Sequence, residues 1–147
     1  MLQFAPAMRT FLVIAGALLS VAASAQTPVD PFQPVATMKQ LMVEIVYPAS
    51  NDVLLIVNRG GPSDDREWAA VSRSAMTLAE SGNLLIMRNR ASDWVDHAKS
   101  LIGAGSAAYR AAQAKDVKAL AAIADPLDKS CTACHKQFRP SVFPPVK

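Results

Sequence analysis

The chain is poor in the residues that bind or react. Only two cysteines and two histidines occur among its 147 residues. A zinc site takes four ligands, so one built here would have to recruit His97 or a carboxylate. No stretch sustains the period-two alternation of a half-buried strand, which argues against a sheet. No internal repeat or low-complexity segment is present. Basic residues outnumber acidic ones only 15 to 12 and are scattered, whereas nucleic-acid binding calls for a clustered basic face. Beyond the first 25 residues no second long apolar run is evident, so no membrane span is expected.

Apolar residues, in contrast, are plentiful at 51%, which is high for a soluble domain. Part of the excess lies in "MRTFLVIAGALLSVAASAQ", residues 8–26. One basic residue (Arg9), an apolar run from Phe11 to Val21 and small residues at Ala23 and Ala25 follow the plan of a secretory signal peptide cleaved after Ala25. The run is too short for a bilayer, which takes about 20 residues, and Met8 is a better start than Met1. Residues 26–147 then form a single domain, soluble and exported to the periplasm. Loss of the leader removes only Arg9 among the charged residues, leaving 14 basic and 12 acidic residues and a net charge of +2.

Four stretches carry helical periodicity: residues 34–58, 64–87, 92–114 and 116–139. Their apolar stripes include Val35, Met38, Met42, Ile45 and Ala49 in the first, and Leu120, Ala124, Leu127, Cys131, Cys134 and Phe138 in the last. Alternating steps of three and four residues keep a seam facing neighbouring helices. Asp64 with Glu67 reads as a capping box, Ser92 as an N-cap, and residues 114–116 as a tight turn. Pro48 and Pro126 fall inside helical runs and should kink or break them; Pro140 ends the last one. Short connections between helices of this length imply an all-α, antiparallel up-down-up-down four-helix bundle.

The scarce residues gather in "CTACHKQF", residues 131–138. On a helix, Cys131, Cys134 and His135 stand at i, i+3 and i+4 and project from one face. Two thiols and an imidazole so spaced can bond to the two vinyl groups of a haem and give its iron a nitrogen ligand; Cys-x-x-Cys-His is the c-type haem attachment pattern. Three other uses of the pair remain open at lower weight. A disulfide between adjacent helical turns closes too short a loop to constrain the unfolded chain much. A thioredoxin-like pair wants a strand-to-helix context. Zinc wants a fourth ligand. Export and an all-helical chain favour one covalent haem c.

A terminal "CTACHKQFR" on the last of four helices resembles the class II c-type cytochromes, the cytochrome c-prime family and its low-spin branch. Size, helix count and the position of the motif carry the resemblance over nearly all of residues 26–147, and Phe138 and Arg139 stand where that family repeats a phenylalanine and an arginine. The resemblance implies a haem enclosed lengthwise in the bundle, with the first helix across from His135. It further implies a methionine of that helix as sixth ligand. Lys39-Gln40-Leu41-Met42 matches the family's setting, so Met42 is expected on the iron, with Met38 as the fallback. The function implied is one-electron transfer with transient periplasmic redox proteins and no catalysis. The alternative is a five-coordinate haem that binds NO or CO, as in the c-prime branch, where homodimers also occur.

The remaining candidates take smaller roles. Arg139 is placed either on a haem propionate, which suits a guanidinium, or at the helix C-terminus. His97, beside Asp96 and Lys99, is expected to face solvent. Trp68, Trp94 and Phe138 are expected in the core, and Met76 and Met87 in packing. Gly103 and Gly105 cost helix stability, which points to close approach of the third helix to the haem or to a neighbour. "GAGSAA" follows a helix and not a strand, so it is no dinucleotide fingerprint. A peroxidase would need a polar group over the iron, and Glu44 and Lys39 both lie off the Met38–Met42 stripe.

Overall fold

Thr37 starts the first helix. Its hydroxyl accepts the Gln40 N–H at 3.2 Å, and Gln40 Oε1 accepts the Thr37 N–H at 2.9 Å, a reciprocal capping box. The computed structural model describes residues 32–89 and 91–141; the expected leader and its cleavage point lie outside the described residues. Helix α1 runs Met38–Asn58, starting four residues later than its periodicity suggests. Val35 therefore stands outside the helix and is fully exposed.

Pro48 does not break α1. Over Leu41–Val46 the helix widens to a π turn, in which the Tyr47 N–H reaches back to the Met42 carbonyl. Proline has no N–H for the Glu44 carbonyl, and its ring crowds that oxygen. Widening the turn accommodates both. The buried face follows: Leu41, Val46, Ala49 and Val53 are buried, and the five-residue step from Leu41 to Val46 is the wide turn itself.

Helix α2 spans Asp65–Arg88. Asp64 Oδ1 accepts the Glu67 N–H at 2.8 Å. The Glu67 carboxylate takes the backbone N–H of Ser63 at 2.7 Å in place of that of Asp64, so the expected box closes one residue early. Helix α3 spans Ser92–Gln113. Its N-cap is Ala91 and not Ser92, whose hydroxyl turns to Asp93 Oδ1 at 3.0 Å. Lys115, at φ 51°, makes the expected turn, and Asp116 caps the next helix by accepting the Ala119 N–H at 2.9 Å.

The fourth run is interrupted. Helix α4 spans Val117–Ala121 and α5 spans Ala124–Phe138. Pro126 has no N–H for the Ala122 carbonyl, so the first helix cannot continue through it. In the first turn of α5 the missing donor costs nothing. The Arg139 N–H closes α5 on the His135 carbonyl at 2.8 Å, with Pro140 behind it.

Among the described residues the chain is all helix, with no strand. Four long helical runs, the fourth broken once, pack on a core centred on Leu41, Val53, Val71, Leu78, Leu120 and Leu127. Helices α2 and α3 pack most closely. A Cβ at Gly82 would stand 2.8 Å from the Ala98 carbonyl, and one at Gly105 would stand 2.5 Å from the Ala79 nitrogen. The close approach expected from Gly105 is thus to α2. Gly103 has nothing near it. Trp68 is buried as expected, whereas Met76 and Met87 are exposed and pack little.

By length and composition α1 is also long and apolar enough to cross a membrane, at 21 residues and mean hydropathy 1.3. Glu44 and Asp52 lie on it, and carboxylates are costly in hydrocarbon. Asp52 instead accepts the Ser74 hydroxyl of α2 at 2.8 Å.

Candidate functional site

Helical spacing on α5 sets Cys131, Cys134 and His135 on one face, and all three line one cavity. It encloses about 40 Å³ and is partly open to solvent. Helix α1 supplies Met42 and Val46 to its wall, α2 supplies Leu85, and α3 supplies Trp94, His97, Ala98 and Leu101. The lining is almost wholly apolar. The two methionines part company here. Met42 lines the cavity, while Met38 packs against the core without reaching the cavity wall.

The wide turn holds Met42 where it is. Its carbonyl takes the Tyr47 N–H, and the buried side chains of Leu41 and Val46 anchor the turn at both ends. On the other side of the cavity, Trp94 Nε1 donates to the Leu85 carbonyl at 2.8 Å, tying the start of α3 to the end of α2. The Trp94 ring meets Phe138 edge-on, with centroids 4.9 Å apart. Phe138 is expected in the core but is more than a third exposed.

His97 does not face solvent as its neighbours Asp96 and Lys99 suggest. It is half-buried and lines the cavity. Its Nε2 lies 2.8 Å from Gln137 Oε1, and Gln137 Nε2 donates to Asp93 Oδ2 at 3.1 Å. The carboxylate claims the amide nitrogen, so the amide oxygen faces the ring and Nε2 carries the proton. The pattern contained this signal: Trp94, His97, Ala98 and Leu101 stand at i, i+3, i+4 and i+7.

Burial sets the protonation of Cys131, Cys134 and His135. It pushes the Cys131 thiol up, with the Asp128 charge adding to it against a hydrogen bond from Ser130. Burial also raises the Cys134 thiol, with Cys131 contributing. His135 is lowered by burial first and then by the Arg139 guanidinium. At neutral pH the wall therefore presents two S–H groups and a neutral imidazole. Both thiols are free. Arg139 is exposed and caps α5.

Two thiols, an imidazole and a thioether around an apolar cavity fit a flat, largely apolar group that carries its own metal. Among the described residues no three His, Cys, Asp or Glu side chains are gathered as around a bare ion. No family model, curated protein or solved structure matches the chain.

Proposed function

We propose that this chain is an exported one-electron carrier, a class II c-type cytochrome with one covalent haem c enclosed in an up-down-up-down bundle. One observation carries the reading: both thiols, His135 and Met42 line the same apolar cavity. Cys131 and Cys134 would hold the group through two thioethers, each S–H adding across a vinyl so that sulfur bonds to one carbon and the hydrogen passes to the other, with no oxidant consumed. Burial keeps both thiols in the S–H form that this addition uses. His135, kept neutral by burial, would be the nitrogen ligand on one wall, and Met42 of α1 the thioether ligand. The haem would supply the one-electron iron couple, and a thioether ligand favours its ferrous state. Leu85, Leu101 and Trp94 supply apolar lining that would shield the group from water. Electrons pass to transient redox partners in the periplasm, and α1 serves as a core helix.

The rival reading is a five-coordinate haem that binds NO or CO, with Met42 packed in the wall and not on the iron. Optical spectra of the exported protein, oxidised and reduced, with and without CO, test both. The carrier reading expects sharp reduced bands, a methionine-to-iron charge-transfer band and indifference to CO; Met42→Ala abolishes that band and Met38→Ala does not. A high-spin spectrum that shifts with CO replaces the carrier with the gas binder. Absence of covalent haem overturns both.

A further inference from the structure

Arg88 is the last residue of α2, and its Nε is buried with no hydrogen-bond partner among the described residues. None of the ion pairs among the described residues includes it; those join Arg59 to Glu67, Lys115 to Asp65 and Lys129 to Asp125. Its guanidinium carbon lies 5.9 Å from the centre of the Phe32 ring, a cation–π distance. Leaving a buried donor unpaired costs about 1–3 kcal/mol, more for a charged group. A guanidinium partly withdrawn from water, with no anion paired to it among the described residues, has a site for one.

Its position indicates the anion. Leu85, one turn earlier on the same side of α2, lines the cavity, and the Leu85 carbonyl holds the cavity residue Trp94. Arg88 is not itself among the lining residues; it follows Leu85 by one helical turn, at the end of a helix that supplies part of the wall. The ring covers one face of the guanidinium, while its edge presents paired N–H groups, the geometry that grips a carboxylate with two hydrogen bonds. A haem brings two carboxylates, its propionates, on one edge.

We propose that Arg88 binds a haem propionate and so fixes which edge of the cofactor faces the end of the bundle bearing Arg88. The inference rests on the haem reading above. It assigns to Arg88 the anchoring role for which the sequence suggested Arg139, whose exposed side chain lies at the end of α5.

The test uses the exported holoprotein, its Arg88→Gln and Arg88→Lys variants, and Arg139→Gln. Mass spectrometry first reports covalent haem; its absence from the wild type defeats the haem reading and this inference together. With haem attached, the propionate-bending band in resonance Raman spectra reads the contact. The expected result is a hydrogen-bonded band in the wild type that shifts in Arg88→Gln and partly recovers in Arg88→Lys. The midpoint potential falls in Arg88→Gln, because losing a nearby positive charge favours ferric iron. Should Arg88→Gln fail to fold, Arg88→Lys and the wild-type band still decide. A wild-type band of free propionates, or a band that moves with Arg139→Gln and not with either Arg88 variant, overturns the assignment and leaves the haem reading standing.

Discussion

Gly103 and Gly105 lie two residues apart on α3, and the same substitution at each should move stability in opposite directions. Alanine relieves a helical glycine of about 1 kcal/mol. At Gly103, which is exposed and has nothing within 4 Å of the new methyl, that gain stands alone. At Gly105 the methyl would lie 2.5 Å from the Ala79 nitrogen and 2.9 Å from its Cα. Both are backbone atoms, so no side chain can rotate away and the helices must separate. Overpacking costs about 1–3 kcal/mol, and a backbone clash belongs at the upper end, leaving a net loss of roughly 2 kcal/mol after the propensity gain. The two variants should then differ by roughly 3 kcal/mol, or about 10 °C in Tm for a domain of this size. Thermal unfolding followed by circular dichroism, with all proteins in the same haem state, reads the difference. Equal shifts of the same sign would refute the close contact of α2 and α3 on which the shape of the cavity wall depends.

Two further outcomes follow from local features. The Glu67 carboxyl is lowered to about 2, first by the Ser63 backbone N–H and then by the Arg59 guanidinium. Its folded value lies below the ordinary one of about 4.5, so its stabilising contribution is full above pH 4.5 and is lost as pH falls towards 2; in Glu67→Gln the acid-unfolding curve should flatten over that window, and curves parallel to the wild type would count against the contact. Pro48→Ala restores an N–H that can bond the Glu44 carbonyl and close the wide turn, so under the proposed haem reading the methionine-to-iron charge-transfer band should weaken; an unchanged spectrum would mean that Pro48 does not set the position of Met42.

The helices and the grouping of Cys131, Cys134 and His135 were legible because both follow helical spacing, which needs no tertiary information. Cys131, Cys134 and His135 fall on one face by arithmetic alone. The buried face of α1 was less legible: a reading at three and four residue steps joins Met38, Met42, Ile45 and Ala49, while the core takes Leu41, Val46, Ala49 and Val53. Pro48 signals a disturbance there but not whether the helix breaks, kinks or widens, since that depends on what the flanking side chains can bury. Pro126 posed the same question and received the other answer, because a short helix could end before it and a new one could begin with it in the first turn. His97 was misread from its charged neighbours in sequence, which on a helix point to other faces. Arg88 left no sequence signal; only the burial of one nitrogen distinguishes it from any arginine near a helix end.

The wide turn in α1 also has a consequence for how chain length can vary. An α-turn holds one residue fewer than the i to i+5 turn between Met42 and Tyr47. In an ordinary helix, a one-residue deletion rotates everything beyond it by about 100° and exposes one buried face or the other. Within residues 41–46 the same deletion can be absorbed by reverting to α pitch, leaving Thr37 to cap the start and Ala49 and Val53 to face the core. What changes is the direction of the side chain at position 42. Gain or loss of a single residue there is a small genetic step that alters what reaches the cavity without dismantling the helix that delivers it.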